Sequence, residues 1–333
     1  MSWIILAAII LLALVFDFIN GFHDTANSIA TSVATRVLSP RAATMMSAVL
    51  NFIGALVSVN VAETIASGLI IGHLAQYVIA GALCGAIVWN LITWYIALPS
   101  SSSHALIGSL IGSAIVVARK FSVVNWTTVL DKVIIPLFSS PLIGFVIGFC
   151  VMKLLYRLLR SAPQKAVNKW FSKLQIGSAA LMAYSHGSND AQKTMGIITL
   201  ALVSSGVIKA SDGIPIEVKL LCALAMALGT SIGGWRIIKT VGINMIKLEP
   251  VEGFAAETSS AAVIHVMTTM GAPVSTTHVI SSAIMGVGSS KRFSAVRWSV
   301  AKDIVTAWFV TIPATMLLGA GFTMLLQLFA HLL

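Results

Sequence analysis

The chain has 333 residues, 57% of them hydrophobic and 10% charged, with a formal net charge of +10. Soluble domains carry about a quarter charged residues, so the composition excludes an ordinary soluble protein and predicts an all-α polytopic membrane protein. The basic excess does not mark nucleic-acid binding: its longest acid-free stretch (Lys153, Arg157, Arg160, Lys165, Lys169, Lys173) separates two apolar halves, as a cytoplasmic loop beside anionic lipid does.

Apolar stretches run over 2–35, 42–62, 74–98, 103–118 and 133–156, then over 174–207, 217–236, 253–271, 274–289 and 299–332. Most approach or exceed the ~20 residues that cross a ~30 Å hydrocarbon core. No base precedes the first stretch and no A-x-A site follows it, so it does not read as a cleaved signal. Cys84, Cys150 and Cys222 fall in separate apolar runs and read as small buried hydrophobes; no cofactor is expected.

Five crossings per half is an odd number, so two related halves must lie in opposite orientations. The reading is two inverted repeats, 1–156 and 174–333, joined by a basic cytoplasmic linker over 157–173. Residues 2–35 and 174–207 span 34 residues each and contain a polar motif, so each is expected to break there, giving ten to twelve segments. With the linker inside, Arg36, Arg41, Lys291, Arg292 and Arg297 also fall inside and both termini outside; Arg119, Lys120 and Lys132 fall outside, against the trend.

The polar motifs are duplicated. G-F-H-D-T-A-N-S at 21–28 aligns with G-S-N-D-A-Q-K-T at 187–194, and P-S-S-S-S-H at 99–104 with P-V-S-T-T-H at 273–278, at offsets of 166 and 174 residues. A carboxylate in a membrane span is costly and marks function by default, which singles out Asp24 and Asp190; helix-to-helix glue needs fewer polar groups. Asn27, Asn189, Gln192 and Thr194 flank them as candidate substrate ligands. In each second motif proline ends one helix and the hydroxyls of Ser101, Ser102 and Ser103, or of Ser275, Thr276 and Thr277, open the next. Hydroxyls and free N–H groups at a helix N-terminus suit an anion; the plainer role is an N-cap. His104 and His278 close the loops as a candidate proton relay or as loop-holding groups. Two anion-binding helix ends beside two carboxylates are compatible only if cations enter too, as protons or as metal ions at Asp24 and Asp190. Lys193 has no counterpart in the first half and partly neutralises Asp190.

These residues resemble the inorganic phosphate transporter (PiT) family, whose signature is a duplicated G-x-N-D-x-A-N/Q. G-S-N-D-A-Q-K-T-M-G and G-F-H-D-T-A-N-S-I-A-T match it in the bacterial low-affinity form, His23 standing where other members carry Asn. W-N-L-I-T-W-Y-I-A-L-P-S-S-S-S-H-A-L-I-G-S and G-F-A-A-E-T-S-S-A are also similar, and the latter adds Glu257 to Asp24, Asp190 and His23 as cation-coupling candidates. The resemblance covers essentially the whole chain. It implies symport of inorganic phosphate with H⁺ or Na⁺, the former favoured by His23, with divalent metal travelling as neutral metal–phosphate in low-affinity members, and often a homodimer. The setting it implies is a multi-pass protein of a bacterial inner membrane. A sulfate permease of the same family is the alternative. A membrane hydrolase or acyltransferase using Ser103 and His104 is remote, because an enzyme needs one asymmetric site.

Overall fold

The computed structural model describes residues 3–72 and 74–332 and is helical along almost all of them. In the first half, α1 (Trp3–Ala34) is followed by α2 (Pro40–Ala55) and α3 (Asn60–Glu63), the latter running into a π-helical turn (Thr64–Gly68). Then come α4 (Gln76–Tyr95), α5 (Ser102–Ala118), and a rod of α6 (Trp126–Val129), a π-helical turn (Leu130–Ile134) and α7 (Ile135–Leu158). The second half repeats this order. It has α8 (Gln164–Ser204), the pair α9 (Ile216–Ile232) and α10 (Trp235–Lys239) with a π-helical turn (Thr240–Asn244), then α11 (Pro250–Thr269), α12 (Thr276–Lys291) and α13 (Trp298–Leu332).

Every expected apolar segment is a helix or a bent pair, but the breaks lie elsewhere than expected. The motif helices α1 and α8 are continuous over 32 and 41 residues. Their polar residues project sideways into protein, so no backbone group needs release and no break is required. The bends fall in the second segment of each half, 64° between α2 and α3 and 61° between α9 and α10. Gly233 at φ +79° permits the latter turn. The linker shrinks to 159–163, because α7 runs to Leu158 with Lys153 and Arg157 and α8 begins at Gln164 and takes Lys165, Lys169 and Lys173.

Among the described residues four helices are long and apolar enough to cross a membrane, or up to six if each bent pair is one span. Large apolar side chains such as Leu11, Leu142 and Leu317 stand exposed on the outer helices, where a bilayer, not water, is the matching solvent. α4 with α5, and α11 with α12, form hairpins whose tips are buried.

The halves interlock. α1 packs on α9 and its counterpart α8 on α2; α5 packs on α13 and α12 on α7. Glycines set the two motif crossings. A Cβ on Gly21 would lie 2.4 Å from the Met226 carbonyl oxygen, and one on Gly187 2.3 Å from that of Asn51. Both obstacles are backbone, so the helices themselves would have to separate. Gly187→Ala is therefore expected to destabilise by about 1–3 kcal/mol, read as a lower Tm in detergent. Gly177→Ala on the same helix meets nothing within 4 Å and should be neutral or slightly stabilising.

Two apolar cores result. One takes Leu6–Phe16 of α1 and Ala191–Ala201 of α8; the other takes Ala26–Ala30 of α1 and Met182 of α8. Between them, the middle of both motif helices carries buried polar side chains, Asp17, Asn20, His23 and Asp24 against Ser185, His186, Asn189 and Asp190.

Candidate functional site at the seam of the two halves

The four motifs meet at this seam. Ser102 donates to Asp24 Oδ2 at 2.7 Å, and Thr276 donates to Asp190 Oδ2 at 3.2 Å. The two contacts correspond under the duplication. Thr277 also reaches Asp24 Oδ1 at 3.4 Å, and Asn27 Nδ2 donates to Thr276 at 3.1 Å and to Thr277 at 2.9 Å. Ser103 donates to the Val274 carbonyl at 3.1 Å, so the two hairpin tips touch. Helices α5 and α12 therefore start at the site, with their hydroxyls and N-terminal N–H groups beside both carboxylates.

The carboxylates are nearly inaccessible, Asp24 at 3% and Asp190 at 0% exposure. One ligand atom each from Asp24, Asp190 and His186 lie within 4.8 Å of one another, close enough to bridge a cation. His186 sits one turn before Asp190, its Nε2 3.2 Å from Asp190 Oδ2 and its Nδ1 3.1 Å from Asn51 Oδ1. His23 lies between Asp24 Oδ1, 2.8 Å from Nδ1, and Thr93 Oγ1, 3.0 Å from Nε2; Ser100 in turn donates to Thr93 at 2.9 Å. Lys193 donates to Asp190 Oδ1, to Ser103 Oγ and, at 3.1 Å, to the Val274 carbonyl.

Other expected ligands are engaged elsewhere. Ser101 and Ser275 accept from the backbone N–H of His104 and His278 at 3.1 and 3.2 Å, which is N-capping. Gln192 accepts from the N–H groups of Val61 and Ala62 and donates to the Ser188 carbonyl, tying α8 to the start of α3. Asn189 donates to Thr268 at 2.8 Å, away from both carboxylates. The Thr194 hydroxyl neighbours Asp17.

Glu257 forms a separate cluster. It accepts from Thr31, Ser32, Ser178 and Gln175 at 2.5–3.3 Å. Thr31 is seven residues beyond Asp24, about 10 Å along the helix axis at 1.5 Å per residue. His104 and His278 touch ring to ring, 5.0 Å between centroids, with His278 stacked on Trp308 at 4.2 Å. Among the described residues neither is bonded to a carboxylate.

Sequence reasoning passed over Asp17, His186, Thr93 and Ser100. Asp17 is fully buried, with Thr194 and Asn20 as its polar neighbours. An acid inside an apolar run is itself the signal that could have found it. For His186 the signal is the i,i+4 spacing to Asp190; for Thr93 there is none.

A family model described as the phosphate transporter family matches residues 20–319. A probable low-affinity inorganic phosphate transporter of Bacillus subtilis is 48% identical over 315 residues, covering 94% of each chain. One from Rhizobium meliloti is 46% identical over 318 residues, covering 95% of each. Among solved structures, one described as the sodium-dependent phosphate transporter aligns with TM-score 0.85 and 26% identity, covering 97% of this chain and 99% of that one.

Proposed function

As the chain belongs to the phosphate transporter family, we propose that it is a secondary symporter that moves inorganic phosphate with a cation by alternating access around the seam. The observation that carries this is the meeting of two helix N-termini and two buried carboxylates, with Ser102 on Asp24 and Thr276 on Asp190. An ionised carboxylate repels phosphate and holds the hydroxyl that would bind it. Neutralising the carboxylate removes the repulsion and frees the hydroxyl to donate to a phosphate oxygen. Cation and anion thus enter together.

The anion cradle is assigned to Ser102, Ser103, Thr276, Thr277 and Asn27, whose amide Nδ2 donates to the Thr276 and Thr277 hydroxyls. Gln192 is left out because both ends of its amide are engaged. The coupling cation is assigned to Asp24 with His23, and it is a proton: an imidazole in hydrogen-bond contact with the carboxylate can take up or return a proton, as an amide cannot. Sodium is the second reading, favoured by the description of the solved relative as sodium-dependent and by the oxygen-rich cluster around Glu257. The approach of Asp24, His186 and Asp190 within 4.8 Å supports divalent metal as cargo with phosphate.

Uptake of radiolabelled phosphate into proteoliposomes, under a proton gradient and separately under a sodium gradient, tests this directly. Proton-driven accumulation resistant to excess sulfate is expected. Accumulation of sulfate instead would make the protein a sulfate permease, and dependence on sodium alone would replace the proton.

The inverted arrangement has its own test. Single cysteines at Arg36 and Lys209, just beyond the ends of α1 and α8, are expected to react with an impermeant thiol reagent from opposite sides of the membrane. Reaction of both from one side would overturn the inversion.

A further inference from the structure

The two halves of the site share corresponding contacts and differ at Lys193, at His23 against Asn189 and at Asn20 against His186. Under the duplication Asp24 pairs with Asp190, Ser102 with Thr276, Ser103 with Thr277, and Asn27 with Lys193. The contacts follow. Ser102 on Asp24 Oδ2 is repeated by Thr276 on Asp190 Oδ2. Asn27 on Thr277 is repeated by Lys193 on Ser103. The rest of the lysine's bonding has no counterpart at Asn27: its ammonium also donates to Asp190 Oδ1 and to the Val274 carbonyl. In the first half the corresponding Asp24 Oδ1 meets the Thr277 hydroxyl and a ring nitrogen of His23.

An ammonium has three hydrogens, and here each has an oxygen: one carboxylate, one hydroxyl, one carbonyl. That is the hard-oxygen ligand set an alkali cation takes, and Lys193 fills it at 1% exposure. We infer that Lys193 is a tethered cation, occupying permanently in the second half the position that the first half leaves to an exchangeable one. The site then carries Asp24⁻, Asp190⁻ and Lys193⁺, so one entering cation neutralises what would otherwise need two. On this inference Asp24 is the exchanging carboxylate, while Asp190 stays paired throughout the cycle. The inference rests on the symport reading above and fixes how many cations that symport uses.

Lys193→Asn installs in the second half the residue that the first half has at the matching position. The purified variant, without phosphate, is expected to gain a rise in Tm with sodium or lithium chloride beyond any the wild type shows, increasing with the logarithm of concentration above saturation. Choline chloride should produce no such rise, and Lys193→Arg should behave as wild type. Because this readout involves no phosphate, it stands apart from the substrate assignment, which fails only if wild-type proteoliposomes take up no phosphate. No cation-specific shift in a folded Lys193→Asn protein would overturn the inference. Should that variant not fold, the double change Asp190→Asn with Lys193→Asn removes both members of the pair. Its uptake should be slower but carry the wild-type number of cations per phosphate, measured by reversal potential. A lower number would show that Asp190 exchanges its cation and would overturn the inference equally.

Discussion

Asp24→Asn should abolish concentrative phosphate uptake while leaving phosphate binding and exchange in place. The amide is close to isosteric with the protonated carboxyl, so Ser102 loses an anionic acceptor and phosphate meets no repulsion. Nothing at the position can then release or take up a cation, and the gradient has no hold on the cycle. Counterflow of labelled phosphate in vesicles loaded with unlabelled phosphate should persist, while net accumulation under an imposed gradient falls to background. Asp190→Asn should behave differently if its partner is the fixed Lys193: it leaves a buried ammonium without its carboxylate, a loss of about 3–5 kcal/mol, and should lower stability before it touches coupling. Gradient-driven accumulation surviving in the Asp24→Asn variant would refute coupling through Asp24.

Ser102→Ala combined with Thr276→Ala should weaken phosphate binding by about two to four orders of magnitude. Each hydroxyl gives a hydrogen bond to a charged group, worth about 1.5–3 kcal/mol, and about 1.4 kcal/mol is tenfold in affinity. The two come from different hairpin tips, so their losses should combine. Titration calorimetry of the detergent-solubilised protein checks the affinity and its Tm checks the fold. Ser101→Ala provides the contrast. Its hydroxyl caps α5, so it should cost about 1 kcal/mol of stability with affinity close to wild type. Equal affinities in the wild type and the double variant would remove the hydroxyls from the substrate site.

The sequence by itself determined the class, the duplication and the centre of the site. Apolar run lengths are set by bilayer thickness, and an acid within them is costly enough to be informative wherever it occurs. Asp24 and Asp190 were legible for that reason, and the hydroxyls of 102, 103, 276 and 277 because each set follows a proline at a duplicated helix start. The tertiary structure decided which polar residues face one another. Gln192 and Asn189 belong to the same motif as Asp190, yet a helix turns 100° per residue, so neighbours in sequence point to α3 and α11 instead. Glu257 lies in an apolar run as Asp190 does, but the crossing of α11 over α8 gives it to Ser178 and Gln175. Continuity of α1 and α8 was likewise a packing outcome, because the interlocked halves supply polar partners from the side. Lys193 shows the division most sharply. Its presence in one half was readable; that its ammonium closes an oxygen site made by Asp190, Ser103 and the Val274 carbonyl depends on a hairpin tip 81 residues away in the chain.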